Sequence, residues 1–110
     1  MYARDLKNVV VLHADSAQLN YDALVDVGLV FIDGSHSFED VRADTECALQ
    51  YFRRRQLGTI VWHDYRSELD WCGVKPYLDS LGMNIFHIDN TWLAFTRIGQ
   101  RGTSDIFGAD

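Results

Sequence analysis

Three short apolar runs constrain this chain more than anything else in it: Asn8–His13, Gly28–Ile32 and Thr59–Trp62. Each is rich in β-branched or aromatic residues, as strands buried on both faces are. Each also stops at polar, acidic residues: Ala14-Asp15-Ser16, then Asp33-Gly34-Ser35-His36, then His63-Asp64-Tyr65. Between the second and third runs, Val41, Thr45, Ala48, Leu49 and Phe52 recur at helical spacing and predict a helix over 37–55 with one core-facing stripe. Ser37 is placed to cap its start, Asp40 to favour its positive end, and Arg53-Arg54-Arg55 to suit the dipole at its last turn, with Gly58 releasing the chain into the next strand. A second helix is expected over 74–81, with Pro76 tolerated in its first turn and Gly82 ending it. Two last strands separated by Asp89-Asn90-Thr91 read as an antiparallel hairpin. The sum is an α/β fold with a mostly parallel five-stranded sheet, strands near 8–13, 28–33, 59–64, 84–89 and 92–98.

A chain of 110 residues holds one ordinary domain, placed at 1–98, with 99–110 a glycine-containing, loosely held tail. The formal charge of −6 gives no electrostatic reason to bind nucleic acid or an anionic membrane. No apolar stretch approaches the roughly 20 residues that span a bilayer, and the first residues mix Arg4, Asp5 and Lys7 without the apolar core of a signal peptide. A cytoplasmic location is expected, with Cys47 and Cys72 as reduced thiols, since they form neither a zinc spacing nor a disulfide framework.

In open parallel sheets, ligands bind beyond the carboxyl ends of the strands, which is where Asp15, Asp33, His36, His63 and Asp64 all fall. Asp33 and Asp64 end neighbouring strands about 4.8 Å apart, so their carboxylates repel unless one takes a proton or a cation lies between them. Oxygen donors point to Mg2+ or Mn2+. His63 is a candidate third ligand, but successive strand residues face opposite ways, so it shares a site with Asp64 only if the strand has already ended. The plain structural role for Asp33 and Ser35 is to cap the helix that follows. His13 and His87 read as satisfied, partly buried histidines, Trp62, Trp71 and Trp92 as core or rim packing, and Cys47 as a small hydrophobe. Dinucleotide, P-loop and nucleophile-elbow signatures are all missing.

The run Leu29-Val-Phe-Ile-Asp-Gly-Ser-His-Ser-Phe-Glu-Asp-Val41, then Asp44, then Gly58-Thr-Ile-Val-Trp-His-Asp-Tyr65 and Gly73-Val-Lys75, resembles the class I S-adenosylmethionine-dependent methyltransferases. The branch it is most similar to is that of the macrocin and cephalosporin-tailoring enzymes, relatives of the catechol-type O-methyltransferases. The resemblance implies a partial Rossmann-like methyltransferase fold and a metal-assisted O-methyltransferase acting on a small hydroxylated molecule. It further implies Asp33 and Asp64 as metal ligands, with His63 where relatives often carry another acid, and His36 as general base. Asp15 and Ser16, with the Asp33-Gly34 turn, would lie on the adenine side of S-adenosylmethionine.

Set against the family pattern, this sequence opens at what would be the third strand and carries no glycine-rich cofactor loop. The expectation is the C-terminal half of the fold, inactive and binding the methyl donor weakly or not at all on its own. A homo-oligomer or a second chain would complete the sheet, and the run 8–13 must move inward, stay exposed or pair with another molecule. The alternative is a non-catalytic remnant or scaffold that self-associates. A small metal-dependent hydrolase using Asp33, Asp64 and His36 is a weaker third, because no further ligands complete a two-metal site.

Overall fold

The computed structural model describes residues 16, 19–24, 26–69 and 71–99. After a 3-10 turn (Tyr21–Ala23) come β1 (Leu29–Ile32), α1 (Phe38–Arg55), β2 (Leu57–Trp62), α2 (Val74–Ser80), β3 (Phe86–His87) and β4 (Ala94–Gly99). The strands form one four-stranded sheet in the order β1-β2-β4-β3. β1 and β2 pair in parallel, with Leu29 opposite Thr59 and Ile32 opposite Trp62. β4 runs antiparallel to both of its neighbours. The sheet is therefore mixed rather than mostly parallel by pairing, and four of the five expected strands are described. The run 8–13 and the tail beyond residue 99 lie outside the described residues.

The alternation along β2 decides which face is the core. Gly58, Ile60 and Trp62 point to the buried side, while Leu57 on the other side is exposed. The α1 stripe of Val41, Thr45, Ala48, Leu49 and Phe52 joins Ile60, Trp62 and Ala94 in the core, together with Val74, Tyr77 and Leu78 of α2. The Trp62 indole N–H donates to Thr45 Oγ1 at 2.9 Å, so the one polar atom of a fully buried ring is satisfied where helix and sheet meet.

Helix boundaries follow from local chemistry. Ser37 Oγ accepts from the Asp40 backbone N–H at 3.2 Å, and Arg53, Arg54 and Arg55 occupy the last turn, as expected. Gln56, in the left-handed conformation at φ 57°, ends α1, and not Gly58. Gly58 lies inside β2, where a Cβ would sit 2.1 Å from the Phe52 ring, so this glycine lets helix and strand approach closely. Gly82 at φ 69° follows the Leu81 cap of α2 in the expected terminating role.

The hairpin is shorter in strand and longer in loop than its sequence suggests. β3 is only Phe86–His87, and Thr91 Oγ1 donates to Ile88 O while accepting from Leu93 N, folding 88–93 into a self-bonded turn with Asn90 at φ 61°. No helix of the described residues is long and apolar enough to cross a membrane.

Candidate active site at the carboxyl rim

β2 ends at Trp62, so His63 and Asp64 are already free of the strand's alternation. Asp64 adopts φ 64°, a left-handed conformation that non-glycine residues adopt only where surroundings hold them. The holding contacts are visible: Cys72 Sγ donates to Asp64 O at 3.5 Å, and Tyr65 N donates to Trp92 O at 2.9 Å. His63 and Asp64 therefore face one site, the condition that strand geometry set for them.

Asp64 is the hub. Its Oδ2 lies 2.8 Å from His36 Nδ1, and its Oδ1 lies 3.0 Å from His63 Nδ1, with the carboxylate only 12% exposed. Asp33, leaving the end of β1, brings Oδ1 to 3.5 Å from the same His63 nitrogen. One ligand atom from each of Asp33, His63 and Asp64 can be chosen so that all lie within 4.8 Å of one another. His63 Nδ1 is buried and makes no hydrogen bond, since the carboxylate oxygens beside it sit off its N–H direction. Two carboxylates converging on an unpartnered imidazole nitrogen form a donor set suited to a divalent cation.

His36 sits at the entrance of α1, its carbonyl accepting from Gly73 N at 2.7 Å and its ring 5.5 Å from the exposed Trp71 ring. A Cβ on Gly73 would meet Phe38 N at 2.3 Å, so the 71–73 segment can lie across the helix entrance only with glycine there. His36 Nδ1 faces the Asp64 carboxylate as an ion-pair partner, so a proton held on Nδ1 leaves a lone pair on Nε2, the arrangement in which an acid orients a base. The ring is 43% exposed and within reach of a ligand.

The remaining candidates form a separate group. Ser16 Oγ donates to Asp44 Oδ1 at 2.7 Å, and Asp44 Oδ2 lies 3.9 Å from where a Gly34 Cβ would be. Gly34 is not in the left-handed region, so the turn after Asp33 does not require glycine. Asp15 and His13 lie outside the described residues. Asp44, which joins Ser16 to α1, stands in the run that carries the family resemblance, with no role assigned to it there.

The aromatic assignments divide. Trp62 is core, while Trp71 and Trp92 are 64% and 45% exposed at the rim. His87 is exposed rather than partly buried, though Nε2 has a partner in Thr91 O at 2.6 Å. Cys47 and Cys72 are both free thiols. Burial, then the charges of Asp44 and Glu46, push the Cys47 thiol up, which suits a packing residue and not a nucleophile.

A family model described as a methyltransferase domain matches residues 2–65, a span that includes Asp33, His36, His63 and Asp64. No match was found among curated proteins or among solved structures.

Proposed function

Since the chain belongs to the methyltransferase domain family, we propose that its carboxyl rim is the acceptor side of an S-adenosylmethionine-dependent O-methyl transfer site. The observation that supports this reading best is Asp64, which offers one carboxylate oxygen to His36 and the other to His63. In this reading Asp64 holds the His36 ring so that Nε2 faces the acceptor hydroxyl and takes its proton as the oxygen becomes nucleophilic. The acceptor oxygen gains the methyl carbon as the sulfur–carbon bond of the methyl donor breaks. The positive charge lost from sulfur is balanced by the proton now on His36.

Asp33, His63 and Asp64 fit a divalent cation by their donor chemistry and by the unpartnered His63 nitrogen. Such an ion would supply an electrophile that lowers the acceptor hydroxyl's pKa. Two carboxylates with one imidazole suit Mn2+ better than Mg2+, which strongly favours oxygen.

The test is manganese binding followed by its electron paramagnetic resonance. Wild type should take up one ion, and Asp33→Asn or Asp64→Asn should weaken binding at least about tenfold, since even a partner one step removed from a metal is worth that much. Binding unchanged by both substitutions would retire the metal. Methyl transfer undiminished in His36→Ala would retire the base.

A self-associating scaffold is the second reading. The observation that favours it is the sheet face turned away from α1, where Leu29, Phe31 and Leu57 are each more than half exposed.

A further inference from the structure

Beside the rim, between the 65–68 segment, α2 and the hairpin, lies an open cleft of about 580 Å³. Its lining, Tyr65 apart, falls outside the span matched by the family model. Arg66 is the informative residue in it. Its guanidinium carbon stands 3.6 Å over the Trp92 ring, and its side chain is only 17% exposed, against 50% for Arg42 and 63% for Arg54.

A guanidinium that far out of water needs acceptors for its five N–H groups. Among the described residues, Glu68 is the one carboxylate within ion-pair range, 2.9 Å from a terminal nitrogen and itself 53% exposed. Arg66 Nε is buried with no hydrogen-bond partner. The other cation of the cleft differs: Lys75 is bonded to Asp79, which also accepts from Tyr65 OH at 2.7 Å. The fold thus leaves the Arg66 Nε donor unused. The indole covers one face, so a ligand in the cleft meets the guanidinium by its edge.

That edge geometry matches two oxygens of one planar or tetrahedral oxyanion, which take paired N–H bonds from arginine. Ser67, Asn90 and Thr91 add neutral polar groups around the same cleft, and Trp92 gives an apolar wall. The volume is that of a small-molecule site and exceeds what a bare ion needs. Trp92 also reaches the rim, its ring centroid 6.1 Å from that of His63.

We propose that this cleft is an anion subsite for the acceptor: the molecule to be methylated carries a carboxylate or phosphate that Arg66 receives, while its hydroxyl reaches the rim past Trp92. The proposal rests on reading the rim as the acceptor site. The chain's overall negative charge makes a specific cationic receptor necessary for such a substrate, since the protein's field as a whole repels it.

The test uses calorimetric titration of the full chain with benzoate, phenyl phosphate and neutral benzyl alcohol, with neither metal nor methyl donor present. At least one anion should bind about tenfold or more tightly than the alcohol, and the tighter of the two anions identifies the group. Arg66→Gln should abolish the preference, whereas Asp64→Asn should keep it. If Arg66→Gln does not fold by circular dichroism, Arg66→Lys should reduce the preference, because a point charge replaces a fork. Equal binding of alcohol and anions, no binding of any probe, or a preference that survives in whichever Arg66 variant folds would overturn the subsite. Manganese binding unchanged by Asp33→Asn and Asp64→Asn, together with methyl transfer undiminished in His36→Ala and the anion preference intact, would remove the proposed function and leave the subsite standing.

Discussion

Gly58 and Phe52 show how much one missing methyl group decides. The Phe52 ring is fully buried and lies against the Gly58 backbone, so Gly58→Ala would drive a Cβ into a ring with nowhere to go. The expected cost is about 1–3 kcal/mol, the range for overpacking a filled core, read as a lower urea midpoint with an unchanged slope. Cys47 is the second test at this scale. With its thiol pushed up by burial and by Asp44 and Glu46, it should react with iodoacetamide at pH 8 more slowly than free cysteine does. A rate equal to or above that of the free amino acid would contradict the structure. At Asp64, the residue types were readable as a rim acid, but the contact pattern was not. Nothing in His63-Asp64-Tyr65 announces a left-handed residue, which is imposed by Cys72, eight positions on, and by the Tyr65–Trp92 backbone bond.

Elements that are stabilised locally were the ones legible in the sequence. α1 starts at its Ser37 cap and ends in its arginine turn because cap and dipole act within a few residues. Ser37→Ala should cost about 1 kcal/mol, measured by thermal unfolding, since the Asp40 N–H loses its acceptor. Elements fixed by distant partners were legible only in part. In the sequence the hairpin strand reads longer than it is, because Ile85, Phe86 and Ile88 look like a continuous strand, whereas only Phe86 and His87 find ladder partners in Phe95 and Ala94. On α2, the Lys75–Asp79 pair sets a pH dependence whose sign can be worked out. The hydrogen bond from Lys75 lowers the Asp79 carboxyl below its usual value, with that from Tyr65 adding to it, and the bond to Asp79 raises Lys75. The Asp79 contribution is therefore present above the unfolded carboxyl's pKa and lost as pH falls through the depressed folded value. The Lys75 contribution is present below the unfolded amine's pKa and lost as pH rises through the raised folded value. Asp79 is 46% exposed, so water and salt screen the pair to no more than about 1 kcal/mol. Lys75→Met should shift the Asp79 carboxyl titration upward by NMR, and an unmoved titration would mean that the pair does not persist in solution.

At the scale of the whole molecule, the sheet has two unlike faces. α1 and α2 bury one side through Ile60, Trp62 and Ala94, but no described element covers the other, where Leu29, Phe31 and Leu57 are 56%, 52% and 60% exposed. These three come from adjacent parallel strands and lie on one side by the register that sets Leu29 against Thr59 and Phe31 against Val61. β1 is also an edge strand of the described sheet, and no described strand pairs with its outer N–H and C=O groups. An apolar face continuous with an open edge is a surface that soluble monomers avoid, and a second copy can meet both features at once, edge against edge and face against face. Sedimentation at high micromolar concentration should therefore give a dimer. Phe31→Lys, on a half-exposed side chain that the core does not need, should return it to monomer with the fold intact by circular dichroism, because a charge in the middle of that patch must be desolvated on association. A compact monomer at that concentration would mean that the face is covered from within the chain, and Phe31→Lys would then lower the unfolding temperature while leaving the sedimentation coefficient unchanged.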